Sequence, residues 1–106
     1  MAWINEGGGI VEVVEGETNT YSIEWKRATS VSSATTLIQK GTTDVTATLS
    51  PSGTIAYAGN IVTLKPIAFP VDGGTDNYVL AVTATVDGQI KVAKVQFQVS
   101  KKSAVR

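Results

Sequence analysis

The clearest signal along the chain is a period-two alternation of apolar and polar positions, interrupted at short intervals by Gly, Pro, Asn or Asp. Over residues 20–26, Tyr21, Ile23 and Trp25 fall on one face and Ser22, Glu24 and Lys26 on the other. That is the pattern of a half-buried strand whose core face can be named. Before it, Ile10, Val11, Glu12, Val13 and Val14 make a first strand that ends at Glu15, Gly16 and Glu17. After it come a small and polar loop over 27–32 and a third strand over 33–39, closed by Lys40 and Gly41. Val45, Ala47 and Leu49 alternate as one face of a short fourth strand. Ser50, Pro51, Ser52 and Gly53 then form a turn in which Pro presets φ and Gly supplies the permissive position. Residues 55–58 and 61–64 flank Gly59 and Asn60, as a tight hairpin or as one strand with a bulge.

Residues 65–74 carry Pro66, Pro70, Gly73 and Gly74, which predicts a loop crossing between sheets. Beyond it, Tyr78, Leu80, Val82, Ala84 and Val86 define one face of a long strand. Asp87 and Gly88 then form a type I′ hairpin turn, which needs φ > 0 at both central residues. On the return strand Ile90 and Val92 are in phase with each other, whereas Val95, Phe97 and Val99 are one residue out of step. The economical expectation is a β-bulge near Ala93 and Lys94, with a change of face as the other reading.

Seven to eight antiparallel strands with such punctuation predict an all-β, two-sheet sandwich, with a small closed barrel as the competing form. No apolar set recurs at helical spacing free of β-branched neighbours, so no helix is expected. The organisation is a flexible N-terminal arm over 1–9, the sandwich over 10–100 and a polar tail over 101–106.

Composition strengthens the β reading and narrows the chemistry. Fourteen Thr, 14 Val and 8 Ile make up about a third of the 106 residues, and β-branched side chains suit a pleated surface better than a helix. Nine basic and nine acidic residues give a formal net charge of zero. The chain therefore has no basic footprint for nucleic acid, no polybasic patch for a membrane surface and no acidic tail. Cys and His are both absent, which removes disulfides, thiolate metal sites and the commonest general base and metal ligand. No apolar run approaches membrane-spanning length, and the N-terminus has neither the basic nor the apolar region of a secretory leader. A chain starting at Met1 is expected to be made and kept in the cytoplasm.

A nucleophilic Ser lacks its base, and the Lys residues fall on outward strand faces or in the tail. Glu12, Glu15, Glu17 and Glu24 are near one another only in sequence and read as solvated edge charges. Asp72, Asp76 and Asn77 could wrap a hard cation, but they are also ordinary turn residues and lack the spacing of an EF-hand loop. Gly7, Gly8 and Gly9 precede a strand, not a helix, so they read as a hinge and not as a phosphate cradle. The expectation is no catalytic residue, no cofactor and no metal. Trp3 and Ile4, ahead of the glycines, are the candidate interaction residues, docked on their own sandwich or inserted into a neighbour. Trp3, Tyr57 and Phe69 are the aromatics outside the core phase that a carbohydrate-binding face would need.

Two stretches also resemble a known family. Tyr21-Ser-Ile-Glu-Trp25, and the run from Tyr78 through Asp87-Gly88 to Val99, resemble small immunoglobulin-like virion proteins of tailed bacteriophages and prophages, of the fibre–tail adaptor or head or tail decoration type. The likeness spans residues 16–100, with Thr35-Thr-Leu-Ile-Gln-Lys-Gly41 standing where the adaptor pattern has a second Trp. It implies an immunoglobulin-like β-sandwich that acts as a non-enzymatic structural component of a phage particle assembled in the host cytoplasm. Its implied partners are phage capsid or tail proteins and further copies of itself, not nucleic acid or membrane. The alternative is an immunoglobulin-like module of a bacterial cell-surface adhesive protein.

Overall fold

The period-two segments fold as strands that pair into two main sheets packed face to face. The structure, a computed structural model, describes residues 2–70 and 77–100. One sheet has four strands in the order β1 (Ala2–Ile4), β4 (Tyr21–Glu24), β8 (Ile61–Thr63) and β7 (Ala56–Ala58). The other has five, ordered β2 (Ile10–Val14), β11 (Gln89–Ser100), β10 (Asn77–Val86), β5 (Val31–Lys40) and β6 (Thr43–Asp44). A two-stranded pair, β3 (Thr18–Asn19) with β9 (Ile67–Ala68), closes one end, and β9 falls within the expected crossing loop.

The core lies between the sheets, on the faces that the alternation predicts. From the smaller sheet it takes Ile4, Tyr21, Ile23 and Val62, with Trp25 just past β4. From the larger it takes Ile38, Tyr78, Leu80, Val82, Ala84, Val86, Ala93, Val95, Phe97 and Val99. Each fully buried aliphatic or aromatic side chain contributes roughly 1.5–3 kcal/mol through the apolar area it removes from water. Four aromatic rings concentrate at one end: Phe97 stands 5.3 Å from Tyr21 and 5.1 Å from Phe69, and Phe69 stands 5.9 Å from Tyr78. Phe69 is therefore a core residue, not an exposed aromatic.

Pairing departs from the all-antiparallel expectation in two places: β1 runs parallel to β4, and β2 runs parallel to β11. Both exceptions involve the N-terminal segment. The glycine run carries the chain from the smaller sheet to the larger across β11, where the Gly9 carbonyl accepts the Gln96 amide at 2.9 Å. Gly8 has φ +96°, and a Cβ there would come within 2.8 Å of the Lys94 carbonyl oxygen, so the crossing requires a residue without a side chain. The stretch expected as an arm thus contains β1, hydrogen-bonded into a sheet.

The fourth strand is replaced by a single helical turn, α1 (Thr46–Leu49). Asp44 Oδ1 accepts both the Thr46 amide (2.9 Å) and the Thr46 hydroxyl (2.7 Å), and Thr46 Oγ1 accepts the Ile38 amide (2.8 Å). These local side-chain bonds turn the backbone away from the sheet. Val45 and Leu49, read as alternate strand positions, are four residues apart and share a helical face, with Leu49 buried and Val45 packed against the core.

The hairpin after β10 has the expected turn, with φ 49° at Asp87 and 82° at Gly88. The bulge expected near Ala93 and Lys94 is absent, because β10 and β11 stay in register from Val86↔Gln89 to Asn77↔Gln98. The other reading holds: Ile90 and Val92 lie on the outward face, 76% and 51% exposed, and the core set starts at Ala93. The register shift of this sheet falls instead between β10 and β5, where Thr85 pairs with Ser33 but Val86 pairs with Val31.

Candidate interaction surfaces

Trp3 and Ile4, the residues singled out from sequence, separate on the two faces of β1. Ile4 pairs in register with Ile23 and is 3% exposed in the core. Trp3, in register with Ser22, is 57% exposed on the outside. Ile4 is thus docked on its own sandwich, while the Trp3 indole stands outside. Trp3, Ile4, Asn5, Glu6, Glu24 and Lys26 line an open groove of about 410 Å³ beside it.

A second surface is the outer face of the five-stranded sheet. Pairing sets its outward residues in rows: Ser33–Thr85–Ile90, Thr35–Thr83–Val92, Leu37–Ala81–Lys94 and Gln39–Val79–Gln96, with Ile10 beside Gln96. Ile10, Leu37, Val79, Ile90 and Val92 are all exposed; the charges are Lys94, Asp44 opposite Gln39, and Glu12 in the next row. A face on which small hydroxyls and branched aliphatics outnumber charges suits another protein surface more than bulk water. Sequence reasoning missed it, although the out-of-step pair Ile90 and Val92 was its signal.

The third feature is a pocket of about 270 Å³ at the end of the sandwich, between the loop after β4 and the β10–β11 turn. Its acidic residues are engaged with backbone. Glu6 Oε1 accepts the Lys26 amide at 2.7 Å, and Asp87 accepts the Thr29 amide at 3.0 Å and the Ser30 amide at 2.9 Å. The Thr29 amide, then that of Ser30, holds the Asp87 carboxyl below its ordinary range. Trp25 lines the pocket from the core, and its Nε1–H is buried without an acceptor.

The remaining polar groups support the fold. Glu15, expected as a solvated edge charge, is buried. Asn19 Nδ2 donates to Glu17 Oε1 (3.0 Å) and to the Tyr21 hydroxyl (3.2 Å). Burial pushes the Tyr21 phenol above its ordinary range, a rise partly offset by that Asn19 bond. Among the described residues no group of three or more Asp and Glu is placed to hold a metal ion. The cation loop considered at 72–77 lies, but for Asn77, outside the described residues. The chain matches no protein-family model and no curated protein.

Proposed function

We propose that this chain is a non-enzymatic structural component of a bacteriophage or prophage particle, an immunoglobulin-like sandwich that acts through protein–protein contacts in a head or tail. The observation that carries the reading is the outer face of the five-stranded sheet, where Ile10, Leu37, Val79, Ile90 and Val92 stand exposed among few charges, Lys94 and Asp44 in their rows and Glu12 in the next. Exposed Trp3 adds an aromatic anchor of the kind that dominates protein interfaces. The strand order supports the immunoglobulin-like assignment. With β4, β5, β7, β8, β10 and β11 taken as B, C, D, E, F and G, the sheets read A-B-E-D and A′-G-F-C-C′. The stretches Tyr21–Trp25 and Tyr78–Val99, which carry the family resemblance, form strands of both sheets.

Sequencing the DNA on either side of the reading frame tests this. Terminase, portal, capsid or tail genes in the same direction are expected, and the nearest of them identifies the particle partner. An in-frame export signal with repeated copies of the domain would overturn the reading in favour of a cell-surface module. Biochemically, co-purification with that neighbour's product is expected for the unaltered chain and is lost in Val92→Lys with the fold retained.

A further inference from the structure

Strand β1 is held by one neighbour, and that neighbour is remote in sequence. It pairs only with β4, in parallel, from Ala2↔Tyr21 to Ile4↔Ile23, and it sends Ile4 into the core. Just past it, the Glu6 carboxylate accepts the Lys26 amide at 2.7 Å. A β1 strand from a second copy would meet these same groups. The joint between β1 and β2 is held by its own turn: Asn5 accepts the Gly7 amide through Oδ1 at 2.8 Å and the Gly8 amide through its carbonyl at 2.9 Å. Gly8 and Gly9, with φ of 96° and 131°, bend the chain off the line of β2. The bend leaves an edge of β11 open. There β2 pairs it from Gln96 to Ser100, and no described strand pairs that edge before Gln96.

We propose that two copies of this chain exchange β1, each strand docking parallel to the other copy's β4 and burying its Ile4 beside the partner's Ile23. Exchange keeps the β1–β4 contacts and changes only the hinge. Straightened, residues 6–8 continue β2 along the open edge of β11, where the register brings Gly8 level with Lys94. Amides that now bond within a turn then join a ladder. The slot that β1 leaves cannot stay empty, because it would open a void beside fully buried Ile23. The segment that fits it is β1 itself. A formal net charge of zero puts no long-range repulsion between copies. In the closed chain the tethered strand competes at an effective concentration on the order of millimolar. Exchange therefore belongs to concentrated protein, or to an assembly that holds copies side by side. The inference rests on β1 and its hinge alone and does not depend on the virion reading.

The test mixes full chain carrying ¹³C-labelled Ile with unlabelled full chain, unfolds the mixture in urea and refolds it at about 1 mM, near the tethered strand's effective concentration. Sedimentation velocity is expected to show a dimer whose share rises with refolding concentration. An isotope-filtered NOE is expected between the Ile4 and Ile23 methyl groups of different chains. Both side chains are buried in each copy, so association through the outer sheet face or through Trp3 brings no such pair together. Gly8→Ala disfavours the closed crossing, where its Cβ meets the Lys94 carbonyl oxygen, and is expected to raise the association constant by roughly fivefold or more. Should that variant not fold, the NOE in the unaltered chain decides alone. A monomer at every refolding concentration, or a dimer without the Ile4–Ile23 NOE, overturns the proposal.

Discussion

The Tyr57 hydroxyl accepts the backbone amide of Ala34 at 2.8 Å, joining β7 of the smaller sheet to β5 of the larger. Beyond the short β6, strand β5 is an edge of its sheet, and an edge amide is a template for unwanted pairing. Thr46 Oγ1 does the same for the Ile38 amide four residues on. Two side chains thus cap the edge that β6 leaves uncovered.

Tyr57→Phe keeps the ring and removes the acceptor. The expected loss is about 0.5–1.5 kcal/mol, the net worth of one hydrogen bond, read from urea unfolding. Faster aggregation at high protein concentration, followed by light scattering, should accompany it. An aggregation rate equal to that of the unaltered chain would show that the edge is guarded by something other than Tyr57.

Asp87 supplies a pH dependence whose sign follows from its lowered pKa. The ionised carboxylate is favoured in the folded state by the Thr29 and Ser30 amides. Its contribution is therefore complete above the unfolded value near about 4 and is lost as pH falls through the depressed folded value. Asp44, lowered by the hydroxyl and then the amide of Thr46, acts in the same direction. Asn at position 87 tolerates φ > 0 and keeps an acceptor, so Asp87→Asn isolates the charge. Thermal melts from pH 7 down to 2 should show a shallower acid limb for Asp87→Asn than for the unaltered chain.

Gly8→Ala places a Cβ 2.8 Å from the Lys94 carbonyl oxygen at φ +96°, where L-residues are strained. A destabilisation of about 1–3 kcal/mol is expected. The displacement should begin at the crossing, so hydrogen exchange at Gln96, whose amide Gly9 accepts, should quicken before that of β10. Gly41 has positive φ but open space around it, so Gly41→Asn serves as a control of small effect.

Phe97 touches Tyr21 and Phe69 and is fully buried. Phe97→Ala should cost about 3–5 kcal/mol in chemical denaturation, enough to unfold a marginal domain of this size. Phe97→Leu should cost less by retaining most of the volume. Equal losses for the two would show that the aromatic contact, and not the space it fills, dominates.

Where one face of a strand is buried, period-two alternation marks it, and Tyr21, Ile23 and Trp25 were legible for that reason, as were the inward residues of β10. The Asp87–Gly88 turn was legible because its chemistry is local. Val45 and Leu49 were misread because a three-point alternation contains an i,i+4 pair, and only the Asp44–Thr46–Ile38 bonds decide between them. Parallel pairing of β1 and β2 depends on partners far along the chain, which no local pattern encodes. The same holds for the pocket, where residues from 6 to 91 meet. Of the candidate site, Trp3 was found from its position ahead of the glycines, and the outward aliphatic rows were missed because their phase was taken for a bulge.

The parallel pairing of β2 with β11 has a mechanical consequence. The five pairs from Ile10↔Gln96 to Val14↔Ser100 join the first strand of the larger sheet to its last, running in one direction. Tension between the chain before β2 and the chain after β11 draws these strands past each other along their lengths. The ladder is then loaded in shear, with its bonds sharing the force instead of opening one after another. A domain held from both sides would meet stretching with its strongest geometry.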